Sequence, residues 1–209
     1  MKSMQQVGGY ASLVLGLGMA AILALIFLVL PGRGVGMNDF SNPQSVTKYG
    51  WALTAFNWID VISGITTILL ALAMRERMQS GAPNRMRLAT ILASVATALF
   101  LGAGIAQVFG WPLIFQTSSG GAPAIAAFYA IAFGIEGAAI FTTGWVALLW
   151  GWAGFATKGV PSLISYLLIA SGILTIASYS SLALVALGLL ALVLNVIWAL
   201  WLAMILLKK

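Results

Sequence analysis

Neither cysteine nor histidine occurs among the 209 residues of the chain. Without cysteine there is no disulfide framework to organise the fold. The absence of both residue types also excludes a zinc site of the usual Cys/His kind and a histidine-ligated haem. The sequence therefore predicts no metal site and no cofactor.

Charged residues are also scarce, at 7% of the chain against about 25% in an average soluble domain. Hydrophobic residues make up 62%, and the mean hydropathy is +1.06. So few charges cannot cover a water-facing surface, and lipid must therefore be the main solvent. The net charge of +6 comes from cations at predicted helix ends, where membrane topology accounts for them, so nucleic acid is not an expected partner.

The sequence motifs of several enzyme classes are missing as well. There is no Walker loop, no dinucleotide-binding glycine pattern and no His-Glu-x-x-His pair. No lysine within a predicted span is available for a retinal Schiff base. A membrane aspartyl protease would need two intramembrane aspartates, whereas this chain has one aspartate and one glutamate. We therefore predict that the protein is not an enzyme.

Long apolar runs dominate the rest of the chain, and about 20 helical residues suffice to cross a bilayer. They predict an all-α membrane protein, a single compact transmembrane domain with helices at about residues 7–30, 51–74, 88–110, 124–150, 161–178 and 182–207. The connecting segments 31–50, 75–87, 111–123 and 151–160 are predicted to be loops. The last two helices are predicted to be separated by a turn at residues 178–181.

The basic residues predict the orientation of the bundle. With the N-terminus in the cytoplasm, eight lysines and arginines lie on the cytoplasmic side and two, Arg33 and Lys48, lie outside. For six spans, the positive-inside rule therefore predicts that both termini lie in the cytoplasm. A five-span chain would put Lys208 and Lys209 outside and weaken this bias.

Two acidic residues lie inside predicted spans, Asp60 in the second and Glu136 in the fourth. An ionisable group in hydrocarbon is costly, and it marks a functional-site hypothesis. At 1.5 Å per residue the two lie about 13 Å and about 18 Å below the predicted outer ends, a difference of roughly one helical turn. No lysine, arginine or histidine lies deep in a span to pair with them.

Polar neighbours accompany both acids. Asn57 and Thr67 share a helix face with Asp60, and Tyr129 shares one with Glu136. We predict a protonatable or cation-binding pair of acids, with Asn57, Thr67 and Tyr129 as hydrogen-bond partners. The alternative is that each acid is protonated and hydrogen-bonds to a neighbouring helix, which would make both of them structural.

The predicted spans also contain two amides, three deep tryptophans and a row of small residues. Gln107 is expected to contact water near the outer end of its helix, and Asn195 is expected to hydrogen-bond between helices. Trp58, Trp145 and Trp198 lie deep in the spans and fit either packing or an aromatic ligand pocket. A face of small residues in the third span predicts close helix packing. Its members are Ala89, Ala93, Ala96 and Ala103.

The basic segment between the second and third spans predicts contact with anionic lipid headgroups. The residues concerned are Arg75, Arg77, Arg85 and Arg87. The alternative is that these cations only determine topology.

The run NWIDVISGITTILLALAMRERM, Asn57 to Met78, resembles a broad family of uncharacterised bacterial multi-pass membrane proteins. So does the layout of a first helix, a polar loop and an acid-bearing helix that ends in arginine. The resemblance covers about the first half of the chain and implies a bacterial cytoplasmic membrane, without implying an activity.

From these features we expect an intramembrane site that binds or passes a proton, a small cation or a small solute. The alternative is a structural or accessory subunit of a larger membrane complex. The expected partners are the lipid bilayer and either further copies of the chain or that complex.

Overall fold

The apolar runs form helices, because a helix makes its backbone hydrogen bonds within one segment and can therefore cross hydrocarbon. A computed structural model describes residues 3–35, 46–117, 121–180 and 185–208. The helices are α1 (Met4–Ala24), α2 (Leu30–Gly32), α3 (Val46–Met78), α4 (Pro83–Thr117), α5 (Gly121–Thr157), α6 (Ser162–Ser180) and α7 (Val185–Leu207). A π-helical turn, Leu25–Val29, joins α1 to α2. No strand occurs in these four ranges.

Within the described ranges six helical stretches are long and apolar enough to cross a membrane, which confirms the predicted all-α fold with six candidate spans. They are Met4–Gly32, Gly50–Met78, Pro83–Trp111, Pro123–Thr157, Ser162–Tyr179 and Ala186–Leu207. Large apolar side chains such as Leu28 and Phe109 point outward, where lipid surrounds a multi-pass protein. The predicted turn at residues 178–181 is wrong for its first three residues, because 178–180 form the end of α6, and residue 181 lies outside the described ranges.

The helices extend further than the sequence predicted, so all four predicted loops are shorter, and residues 46–50 of the first already belong to α3. Residues 75–78 and 83–87 continue α3 and begin α4, which leaves only 79–82 between them; Pro83 suits a first helical turn because it lacks an N–H. Residues 111–117 are helical despite Pro112, as membrane helices tolerate proline. Helix α5 continues to Thr157 and ends where Lys158 adopts a positive φ of 53°.

The six spans form a closed ring. Consecutive spans pack side by side from α3 to α7, and α1 closes the ring by packing against both α3 and α7. Gln5 at the start of α1 hydrogen-bonds to the carbonyl of Ala73, and Gly9 packs against Leu207 near the end of α7. The two terminal spans therefore begin and end at the same end of the bundle.

We call this the basic end, because it also carries Arg75, Arg77, Arg85 and Arg87 at the junction of α3 and α4. Arg77 Nε donates a hydrogen bond to the Gly159 carbonyl, and its Nη1 donates to Gln5 Oε1 at 3.4 Å. These bonds tie the end of α3 to α1 and to the connection between α5 and α6.

Small residues allow the helices to approach closely, as predicted. Ala89, Ala93, Ala96 and Ala103 are all fully buried, which confirms the predicted contact face. A methyl group placed on Gly144 of α5 would lie 3.1 Å from the carbonyl oxygen of Gly172 of α6, so a side chain here would crowd the backbone of the neighbouring helix.

Candidate intramembrane acid site

The carboxyl groups of Asp60 and Glu136 come from different helices and line one cavity inside the ring. Helix α3 supplies Asp60 and helix α5 supplies Glu136. The cavity has a volume of about 290 Å³. Its other walls are Ile22, Ile26, Leu53, Phe56, Asn57, Phe133, Ile140, Tyr179, Leu192 and Asn195. We call it the acid cavity.

A second cavity, of about 130 Å³, adjoins the acid cavity. Asp60 and Asn195 line both cavities, so the two spaces meet beside Asp60. Every one of the six spans contributes to the wall of this second cavity. Its hydroxyl groups come from Ser63, Thr67, Thr143 and Thr175, and its aromatic wall consists of Phe100, Trp150 and Trp198. We call it the aromatic cavity.

Helical spacing explains the polar stripe on α3. Asn57 faces the acid cavity, Asp60 faces both cavities, and Thr67 faces the aromatic cavity. All three are buried, with Asn57 2% and Asp60 7% exposed. The Nδ2 atom of Asn57 makes no hydrogen bond to any described residue, so its amide retains a free donor beside the acid cavity.

Glu136 accepts a hydrogen bond from Gln107 of α4. The distance from Gln107 Nε2 to Glu136 Oε2 is 3.3 Å. The expectation that Gln107 contacts water is wrong, because its side chain is fully buried. Helix α4 lies between α3 and α5 in the ring, and these two helices pack against it on either side. Gln107 therefore belongs to the surroundings of the acid site.

Tyr179 of α6, which the sequence assigned to a turn, lines the acid cavity together with Glu136. Tyr129, the tyrosine predicted as a partner of Glu136, stacks on Phe133 with ring centroids 4.2 Å apart. It packs against a cluster that contains Trp111 and Leu53 and does not belong to the wall of either cavity. The hydrogen-bond role of Tyr129 stays a prediction, and Tyr179 is the tyrosine found beside Glu136.

Asn195 accepts a hydrogen bond within its own helix. Trp198 Nε1 donates to Asn195 Oδ1 at 2.7 Å, in place of the bond expected between helices. The Trp198 ring meets the Trp150 ring edge to face, with centroids 6.4 Å apart, and both rings line the aromatic cavity. Trp58 and Trp145 are about half exposed on the outer surface. Of the three deep tryptophans, Trp198 lines the aromatic cavity, whereas Trp58 and Trp145 line neither the acid cavity nor the aromatic cavity.

Glu136 also reaches the outside of the bundle. It is partly exposed, and it lines a surface groove of about 600 Å³ between α5 and α6. The other groove residues are Phe133, Gly134, Gly137, Ala138, Phe141, Thr142 and Tyr179. Asp60 does not face this groove. The two acids therefore share the acid cavity, but only Glu136 connects it to the lipid-facing surface.

Nothing basic balances the two carboxyl groups. Among the described residues that line either cavity there is no lysine or arginine. Within the described ranges there is also no group of three acidic side chains that resembles a metal site. The acids are thus surrounded by apolar side chains, a few hydroxyl groups and the amides of Asn57, Gln107 and Asn195.

The arginines of the basic end fall into two groups. Arg77 is bound to Gly159 and Gln5 as described above. Arg85 donates to the Trp152 carbonyl at 3.4 Å and lies over the Trp152 ring at 4.9 Å. Arg75 and Arg87 are exposed and make no such contact within the described part of the chain. Binding of lipid headgroups at this end stays a prediction.

No family model matches the chain, and no curated protein or solved structure matches it either.

Proposed function

We propose that this multi-pass protein binds a proton, a small cation or a small solute at Asp60 and Glu136, and that it passes this ligand through the ring of helices. One observation carries the proposal. Both carboxyl groups line the same internal cavity, and no basic side chain in the described wall neutralises them.

The energetics of burial support a ligand of positive charge. The penalty for burying an ion in a protein is several kcal/mol even after relaxation. Two unpaired carboxylates at one cavity would pay this penalty twice and repel each other, so the empty dianion is the least stable form. Protons or a bound cation remove the charge. Protons and the cation compete for the same carboxyl oxygens, so binding of one releases the other.

We further propose that the protein lies in the cytoplasmic membrane of a bacterium with the basic end in the cytoplasm. The distribution of arginine and lysine supports this orientation through the positive-inside rule. The resemblance of residues 57–78 to bacterial membrane proteins supports the setting.

At the basic end we propose that Arg75 and Arg87 bind anionic lipid headgroups, because both are exposed while Arg77 and Arg85 are bound to the protein. Native mass spectrometry should show less retained anionic lipid when Arg75 and Arg87 are replaced by alanine. Unchanged lipid retention would leave these cations as topology determinants only.

The main proposal is tested with Asp60→Asn and Glu136→Gln, singly and together, in purified protein. Infrared difference spectra between acidic and alkaline buffer should contain the carbonyl stretch of a protonated carboxyl group in a dry environment. We expect the double variant to lose this band. Glu76→Gln is the matched control, because Glu76 is an exposed acid on the last turn of α3.

Proton passage is measured in parallel with vesicles that contain the protein and an entrapped pH-sensitive dye. A potassium diffusion potential drives protons inward, and the double variant should abolish the flux. If the double variant folds normally and retains both the infrared band and the flux of the wild type, the proposal is wrong. The acids would then be structural, as expected for an accessory subunit.

A further inference from the structure

The groove at Glu136 lies near the last described residues of α6, which is shorter than its neighbour α5. Helix α6 has 19 residues, whereas α5 has 37. Along their antiparallel contact, Gly144 meets Gly172 and Gly137 meets the ring of Tyr179. Helix α6 ends one residue beyond Tyr179. Gly134, on the turn of α5 before Gly137, is exposed.

This groove lies within the apolar span of α5, on the outer surface of the bundle. Glu136 lies about 20 Å along the helix from Pro123, where the span begins, at 1.5 Å per residue. Phe133, Glu136 and Tyr179 line both the groove and the acid cavity. The same three side chains therefore separate lipid from the interior, and a ligand dissolved in the bilayer would meet Glu136 first.

The chemistry of the walls selects the kind of cation. A calcium ion takes six to eight oxygen ligands, and magnesium keeps several of its waters. The acid cavity offers only two carboxyl groups among its described residues, its other oxygens are neutral, and no group of three acidic side chains within the described ranges could hold a metal ion. An organic cation with a spread charge needs few oxygen ligands, and aromatic faces attract it. Phe100, Trp150 and Trp198 provide such faces beside Asp60.

We propose that the ligand of the acid cavity is a lipophilic organic monocation that enters from the bilayer through the groove between α5 and α6. This inference rests on the proposed function and specifies its ligand and its route. The cation passes Glu136 at the groove, is held between Asp60 and the aromatic wall, and displaces protons from the carboxyl groups. Acidification therefore releases it.

Binding is tested on the purified full chain with two probes, tetraphenylphosphonium and the smaller benzyltrimethylammonium. At least one should bind, and the affinity should fall by at least about thirtyfold in the double variant with Asp60→Asn and Glu136→Gln. Tetraphenylborate has the shape of the phosphonium but the opposite charge, and it should not bind. Failure of both cations to bind, or equal binding of the borate, would overturn the proposal.

The route is tested with Gly134→Leu, which places a side chain in the groove. A methyl group at Gly134 meets no atom within 4 Å, so the variant should fold normally. Gly102→Leu is the matched control, because Gly102 is equally open but lies on α4, outside the groove. In vesicles, Gly134→Leu should slow binding by at least about tenfold and leave the equilibrium affinity within about twofold. Equal rates for both variants would overturn the lateral route.

The proposed function and this inference fail in different ways. Loss of the infrared band in the acid variants, together with absent cation binding, would retain the proton site and reject the organic cation. A band and proton flux that do not depend on either acid would reject the proposed function itself, and the inference with it.

Discussion

The crossing of α3 and α4 beside Asp60 depends on Gly104. A methyl group at this position would lie 2.9 Å from the carbonyl oxygen of Asn57 and 2.7 Å from Cγ2 of Val61. The first neighbour is backbone and cannot rotate away, so Gly104→Ala must push the two helices apart. Gly102 lies on the same helix and has no atom within 4 Å, so Gly102→Ala causes no such clash.

The pair of variants isolates the cost of this clash. Both substitutions replace glycine by alanine in the interior of α4, so any gain in helix propensity, about 1 kcal/mol, is common to both. An additional group forced into a packed interface typically destabilises by about 1–3 kcal/mol. We therefore expect the free energy of unfolding of Gly104→Ala to be lower than that of Gly102→Ala by this amount.

Reversible unfolding in mixed micelles of mild detergent and dodecyl sulfate measures this difference, with tryptophan fluorescence as the signal. Separation of α3 from α4 in Gly104→Ala moves Asn57 and the adjacent turn that carries Asp60. Cation affinity should therefore fall in Gly104→Ala and not in Gly102→Ala. Equal stability and equal affinity of the two variants would show that α3 and α4 do not approach this closely at the acid site.

Three further predictions follow from the contacts of single side chains. Ser12→Ala should lower the free energy of unfolding by roughly 0.5–1.5 kcal/mol, because the buried Ser12 hydroxyl donates to the Ala199 carbonyl at 2.7 Å across α1 and α7. Ser94→Ala should leave it unchanged, because that exposed hydroxyl bonds within its own helix. Gln107→Ala should shift the infrared carbonyl band of Glu136, and an unshifted band would contradict the 3.3 Å hydrogen bond. Glu136→Gln should mainly slow cation association, whereas Asp60→Asn should mainly accelerate dissociation, and equal changes in one rate constant for both would contradict this division.

The number of spans was predictable because hydropathy reports a property of each segment by itself. The ends of the helices were not. Residues 111–117 were assigned to a loop because Pro112 follows Gly110 and Trp111, yet the lipid environment favours continued intrahelical hydrogen bonding. The arginines of residues 75–87 suggested a loop by their charge, although a helix end at the membrane surface accommodates charge equally well.

The acid site was predictable only where its members share a helix. Asn57, Asp60 and Thr67 share one face by spacing, and all three line the joined cavities. Gln107 and Tyr179 lie beside Glu136 because of the rotation and length of neighbouring helices, which no periodicity within α5 encodes. The short span of α6 was the available signal for Tyr179, since a helix that ends early brings its last residues to the middle of a longer neighbour.

The different surroundings of the two acids matter for how such a site would operate. Asp60 lies where the acid cavity meets the aromatic cavity, and it is buried on all sides by the ring. Glu136 lies where the acid cavity meets the groove, with Gln107 holding one of its oxygens. If both acids had the same surroundings, both would release their protons and bind the cation in a single step. Under the proposed route, the outer acid would be neutralised first by a ligand from the bilayer, and the inner acid would stay protonated until the ligand had moved past Phe133 and Tyr179. The proposed order of the two steps therefore follows from the position of Glu136 between the groove and the acid cavity, with Asp60 further inside.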